Sequence, residues 1–223
     1  LEFRRVLFRS TEEFYVHRNS FDFRINNSNV LIEIDPSYTH STEPNHWDPQ
    51  GKDKLYHIER TRLAEENGYR CIHIFDWDRW EDIVNILQPK EIIYARKCSI
   101  QQVDPKSIKS FINENHIQGD ARGAKYAYGL YYQGDLIEVM TFAKARYNKQ
   151  YEWELLRLCT RKRLSVVGGA SRLFNQFIKE VDPQSIISYC DRAKFSGDVY
   201  NKIGMKLDHY SSPSKIWSKG SEH

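Results

Sequence analysis

Glu33 and Asp35 close the apolar run Val30-Leu-Ile-Glu-Ile-Asp35. Side chains alternate across a strand, so the two carboxylates share one face while Val30, Ile32 and Ile34 take the other. Two acids on one face repel each other unless a cation sits between them; the plainer alternative is an exposed face with two solvated acids. A cation held by Glu33 and Asp35 would be a hard divalent ion, Mg2+ or Mn2+, with iron as a further candidate. His40 lies just past the strand, and His57 lies in the helical stretch that follows. An imidazole beside such an ion can act as general acid or base.

A second constellation is Gly168-Gly169-Ala170-Ser171, at the start of the amphipathic stretch Arg172–Lys179. Small residues at a helix N-terminus let backbone N–H groups approach a phosphate, and the helix dipole favours its charge. The basic run Arg161-Lys162-Arg163 just upstream reads either as solvated loop or as a phosphate partner.

These residues need elements to hold them. In the front half, Phe21–Ile25 and Val30–Asp35 read as a hairpin around the polar turn Asn26–Asn29. A helix over Asp53–Glu66 closes at Gly68, a buried strand covers Cys71–Phe75, and a helix over Trp80–Leu87 ends at Gln88-Pro89. In the back half, Asp104-Pro105 opens a helix. Strands Lys125–Tyr132 and Leu136–Ala145 meet at Gly134-Asp135. Strand Tyr151–Cys159, the glycine turn and its helix follow, then strand Ile186–Cys190 and a helix from Ser196-Gly197 through Tyr200. From Ile92 to Trp217 the expected order is β, α, β, β, β, α, β, α, β.

The segments Asp35-Pro-Ser-Tyr-Thr-His40, Tyr56-His57 and Cys71-Ile-His-Ile-Phe75 resemble the Vsr-like and EDxHD homing endonucleases of the PD-(D/E)xK nuclease superfamily. The resemblance implies that Asp35 binds metal and that His40 and His57 assist phosphodiester hydrolysis. Asp35 stands where the superfamily's usual Lys would be. The back half resembles the GNAT acyltransferase fold, in which a glycine loop and the following helix cradle the pyrophosphate of acyl-CoA; Ser165 stands where Arg or Gln is usual. Within that fold the chain is similar to phage Mom-type DNA-modification proteins, on Tyr94-Ala-Arg-Lys-Cys98, Asn115-His-Ile-Gln-Gly119, Glu154-Leu-Leu-Arg157, Val167-Gly-Gly-Ala-Ser171, Ser188-Tyr-Cys-Asp-Arg192 and Tyr200. That similarity implies His116, Asp191 and Tyr200 at the reacting centre, and Arg157, Gly168, Gly169, Ala170 and Ser171 at the cofactor. Each has a plainer reading as well: His116 as a helix cap, Asp191 as an N-cap, Tyr200 as part of an apolar helix face.

The expected class is therefore α/β (α+β), a truncated Vsr-like nuclease fold over 11–89 and a GNAT-like fold over 91–217, with a tail at 218–223. Leu1–Ser10 matches a one-frame translation of a common sequencing-library adapter and is set aside. Those ten residues carry a net +2 of the chain's +3. Residues 11–90 carry 9 basic and 15 acidic side chains and residues 91–223 carry 21 and 14. An acidic front suits metal binding, and a basic back suits a polyanion such as CoA or DNA. Cys71, Cys98, Cys159 and Cys190 lack zinc or CxxC spacing, which fits reduced core residues of a cytoplasmic protein, in the host cytoplasm if phage-encoded. No stretch has the roughly 18 apolar residues of a membrane span. Three functions are expected: DNA processing by a nuclease-like domain with an acyl-CoA-binding, base-modifying partner domain; an endonuclease whose second domain only binds DNA; or a non-catalytic DNA-binding module.

Overall fold

Strands β1 (Ser10–Val16), β2 (Asn19–Ile25) and β3 (Val30–Asp35) run antiparallel in turn, and β4 (Arg70–Phe75) lies parallel to β3 in a sheet of order β1-β2-β3-β4. This is seen in a computed structural model that describes Ser10–Ser214 and Ile216. A parallel pair requires a crossover, and helix α1 (Tyr56–Glu66) supplies it. Glu33 pairs with His73 and Asp35 with Phe75. The face beneath α1 changes character along these strands. Leu31 and Cys71 pack with Phe21 and Ala64 in an apolar cluster, then Glu33 and His73 follow, then Asp35, all buried.

Helix α2 (Trp80–Leu87) has the bounds expected of it. Beyond it, β5 (Glu91–Tyr94), a 3-10 turn, β6 (Ser99–Gln102) and helix α3 (Lys109–Asn115) lead to the long strands β7 (Tyr126–Tyr132), β8 (Asp135–Lys144) and β9 (Trp153–Thr160). Strand β10 (Leu164–Val167), helix α4 (Gly169–Val181), strand β11 (Ile186–Ile187) and helix α5 (Asp198–Lys202) complete the described elements. The main sheet here has order β11-β9-β8-β7-β6, with β11 parallel to β9, so α4 is the crossover between them. On one face Leu173, Phe174 and Phe177 of α4 pack on Tyr128, Met140, Phe142, Trp153 and Leu155, with Phe142 and Phe177 stacked at 3.7 Å. On the other, Ile108 and Ile112 pack on Ala127, Val139 and Cys159.

The molecule is thus α+β, in two compact units. One comprises the described residues up to Val84 with Cys190–Gly197 and those from Leu207 onward; the other comprises Asn85–Tyr189 and Asp198–Lys206. This division differs from boundaries at 89 and 217, because a stretch of the back half belongs with the front one: the His73 N–H donates to the Ala193 carbonyl at 2.9 Å. The strand expected over Ile186–Cys190 is only two residues long; just beyond it the Ser188 hydroxyl donates to the Leu155 carbonyl at 3.0 Å. Strands β1, β6 and β10 were not anticipated, and the strand expected to close the order before Trp217 is not formed by the described residues after α5. Trp217 and nine of the ten residues read as adapter lie outside the described residues; Ser10 opens β1. No described helix is long and apolar enough to cross a membrane.

Candidate functional site

Side chains at i, i+3, i+4 and i+7 share one face of a helix. In α1 these are His57, Arg60, Thr61 and Ala64, and together they meet three successive rungs of the sheet, Arg60 and Thr61 sharing the middle one. Ala64 joins the apolar cluster, Arg60 pairs with Glu33, the Thr61 hydroxyl lies 2.9 Å from Nε2 of His73, and His57 faces Asp35. The turn after β3 brings His40 to the same place: its N–H donates to the Pro36 carbonyl at 3.0 Å, which folds the imidazole back over the strand end.

Asp35 is the centre of this arrangement, 1% exposed. His73 Nδ1 donates to Oδ2 at 2.6 Å. A carboxylate only accepts, so Nδ1 carries the proton here, while Nε2 lies against the Thr61 hydroxyl, which also donates to the His57 carbonyl at 3.1 Å. Asp35 Oδ1 is buried and has no well-aligned hydrogen bond; His40 Nδ1 lies in ion-pair contact 2.9 Å away and His57 Nε2 at 3.8 Å, and the two imidazole nitrogens are 3.3 Å apart. One atom from each of Asp35, His40 and His57 therefore converges on a common point. Ligand atoms of a tetrahedral ion with bonds of ~2.1 Å stand about 3.4 Å apart, so these spacings fit a metal ion. A buried carboxylate oxygen without a well-aligned donor is what such an ion would complete.

The protonation states agree with a ligand set. Burial pushes the Asp35 carboxyl upward, but the imidazoles of His40 and His73 outweigh it and hold Asp35 well below the usual carboxylate range. Burial lowers His57 to about 4, against the pull of Asp35, so the ring is neutral at neutral pH with its lone pair available.

Glu33, expected to share the ion with Asp35, goes elsewhere. It lies on the same face, but Arg60 reaches it first, with Nε donating to Oε1 at 2.7 Å. Burial still raises its carboxyl to about 7 despite Arg60. The ion candidate is thus one carboxylate with two imidazoles, a donor set suited to first-row divalent ions such as Mn2+, Fe2+, Co2+ or Zn2+ more than to Mg2+. His73, Thr61 and Arg60 were not singled out from the sequence. The spacing His57-x-x-Arg60-Thr61-x-x-Ala64 carried the signal, as a polar stripe that a search for apolar periodicity passes over.

In the second unit the glycine turn opens α4 as expected. Gly168 is the N-cap, with φ +80°. Gly169 has a reason of its own: a methyl group there would overlap the buried Glu138 carboxyl and stand 2.9 Å from Val166 Cγ1. Ala170 packs on the core and Ser171 is the third residue of the helix. A cavity of about 480 Å³ opens beside the turn, lined by Tyr94, Ala95, Arg96, Val167, Gly168 and Arg172. Arg157 is not part of it. It donates to the Gly119 carbonyl at 2.8 Å and alternates with Leu158, which packs on the α4 side, whereas neighbouring Cys159 packs with α3. In the basic run the Arg161 side chain donates to the Leu136 carbonyl, and the main-chain N–H groups of Lys162 and Arg163 donate to Asn115 and Asn85.

His116 caps the C-terminus of α3 and its Nδ1 accepts from the Gln118 N–H at 3.1 Å. Tyr200 donates to the Tyr189 carbonyl at 3.2 Å. Asp191 belongs to the first unit, where its carboxylate accepts from the Ala193 N–H at 3.0 Å.

No protein-family model matches the chain, and no curated protein matches it in sequence. Among solved structures it is similar to an aminoglycoside acetyltransferase from an uncultured soil metagenomic sample, in complex with trehalose. The likeness covers 56% of this chain and 98% of that one, at 11% identity and a TM-score of 0.40.

Proposed function

We propose that the first unit hydrolyses phosphodiester bonds of DNA with a divalent metal ion held by Asp35, His40 and His57. The supporting observation is the convergence of one atom from each of Asp35, His40 and His57, with Asp35 Oδ1 buried and faced by two imidazole nitrogens. A bound ion supplies Lewis acidity toward a phosphate oxygen and an activated water. The chain keeps Asp35 anionic, keeps His57 neutral, and fixes the Asp35 carboxylate through His73 and Thr61. DNA as substrate rests on the resemblance of Asp35–His40 to Vsr-like and homing endonucleases. The test is nicking of supercoiled plasmid with Mn2+ or Co2+ beside calorimetric metal titration. Asp35→Asn is expected to abolish both; a variant that binds and cuts like wild type removes the reading.

A second activity is proposed for the second unit, binding of a phosphate-bearing acyl-CoA-type ligand. It is favoured by the cavity at the α4 N-terminus with Arg96 and Arg172 in its lining. Titration with acetyl-CoA tests it, and no heat at millimolar ligand ends it. Modification of a DNA base would follow only from binding there. Binding of DNA without turnover is the outcome expected if both tests fail.

A further inference from the structure

We propose that Lys194 is a positioning residue for the Asp35–His40–His57 cluster, acting through His73; the proposal rests on the metal-site reading above. His73 orients Asp35, and its own backbone is held at both polar groups by a stretch more than a hundred residues later in the chain. Its N–H donates to the Ala193 carbonyl at 2.9 Å, and its carbonyl accepts from Nζ of Lys194. Lys194 is 2% exposed, rare for a lysine and costly unless its charge is met. Here three groups meet it: the His73 carbonyl, Asp78 Oδ2 at 2.5 Å, and the Phe75 ring 4.7 Å away. Asp78 Oδ2 also accepts the Phe75 N–H at 2.8 Å, so the same ion pair closes the end of β4 next to the residue paired with Asp35.

The stretch is itself anchored. Arg70 donates to the Lys194 carbonyl and Arg192 pairs with Glu65 in the last turn of α1. Asp191, given a catalytic role by family likeness, builds the turn: its carbonyl accepts from the N–H groups of Lys194 and Phe195 at 3.2 and 2.9 Å, and its carboxylate from Ala193. Residues that hold a ligand's hydrogen-bond partner tune metal affinity without touching the ion. Lys194 stands one step further out, gripping the main chain of the residue that aims Asp35.

The test uses the full chain and Co2+, read by calorimetry and by the visible absorption of the bound ion. Lys194→Met alone strands the Asp78 carboxylate, so it is paired with Lys194→Met/Asp78→Asn, which removes the orphaned charge. The double variant is expected to melt close to wild type yet bind Co2+ roughly tenfold more weakly, with a changed absorption spectrum. Lys194→Gln, which keeps an N–H donor for the His73 carbonyl, is expected to fall between wild type and Lys194→Met in Co2+ affinity. Wild-type affinity and spectrum in the double variant, or equal losses in Lys194→Gln and Lys194→Met, overturn the positioning role while leaving the metal site standing. Absence of any Co2+ binding in wild type that Asp35→Asn removes overturns the metal site itself, and the positioning role with it.

Discussion

Arg60 and His57 lie one helical turn apart, and between them they divide a pair of acids that looks like a single site in the sequence. The alternation along β3 was readable, and it put Glu33 and Asp35 on one buried face. Which cation each acid meets was not, because that depends on how α1 is laid across the sheet. The division has testable consequences. Removing Arg60 leaves the buried Glu33 carboxyl protonated and without its donor, so Arg60→Met should destabilise the first unit by about 1–3 kcal/mol. Denaturant unfolding measures this, and Glu33→Gln in the same chain should restore much of the loss. Glu33→Gln alone should leave the Co2+ affinity of wild type unchanged, since Glu33 touches Arg60 and not the ion site. A large fall in affinity would return Glu33 to the ligand set.

At the level of elements, the long strands and the amphipathic helix α4 were legible because their apolar residues recur at the period of the structure they form. Short pieces were not. Strand β10 is four residues and β11 two, and both exist because a parallel neighbour is present, β5 and β9 respectively. The glycine turn shows how a correct element can carry an incomplete reason. Gly168 needs its positive φ, but Gly169 also makes room for Glu138. The two explanations for Gly169 predict opposite signs. Were a phosphate the sole reason for the glycine, Gly169→Ala would stabilise the ligand-free protein by up to about 1 kcal/mol, as alanine does in a helix. With Glu138 packed against it, the same change should destabilise by about 1–3 kcal/mol. Adding Glu138→Ala should remove most of that penalty, a coupling that a double-mutant cycle reads directly.

Over the whole molecule, the two units place opposite demands on protons. In the first, His57 resists protonation, so its contribution is lost as pH falls from about 6.5 toward its folded value of about 4. Asp35, held low, adds a further loss at more acid pH, below the unfolded carboxylate range. Glu33 works the other way and offsets part of this slope. In the second unit the carboxyl group shifted upward is Glu138. It is 4% exposed, Oε1 accepts from the Thr160 hydroxyl at 2.8 Å, Oε2 has no hydrogen bond, and burial raises the carboxyl to about 7. The folded unit therefore keeps a proton that the unfolded chain has released. Its contribution is complete below the unfolded value of about 4.5 and is lost as pH rises through about 7. Glu138→Gln keeps the shape and cannot ionise. Relative to that variant, wild type should lose about 2–3 kcal/mol of stability between pH 5 and pH 8. Denaturation midpoints of the two proteins across that range make the measurement. Parallel curves would mean that the Glu138 carboxylate finds solvent or a cation, and that the N-terminal end of α4 is open enough to admit one.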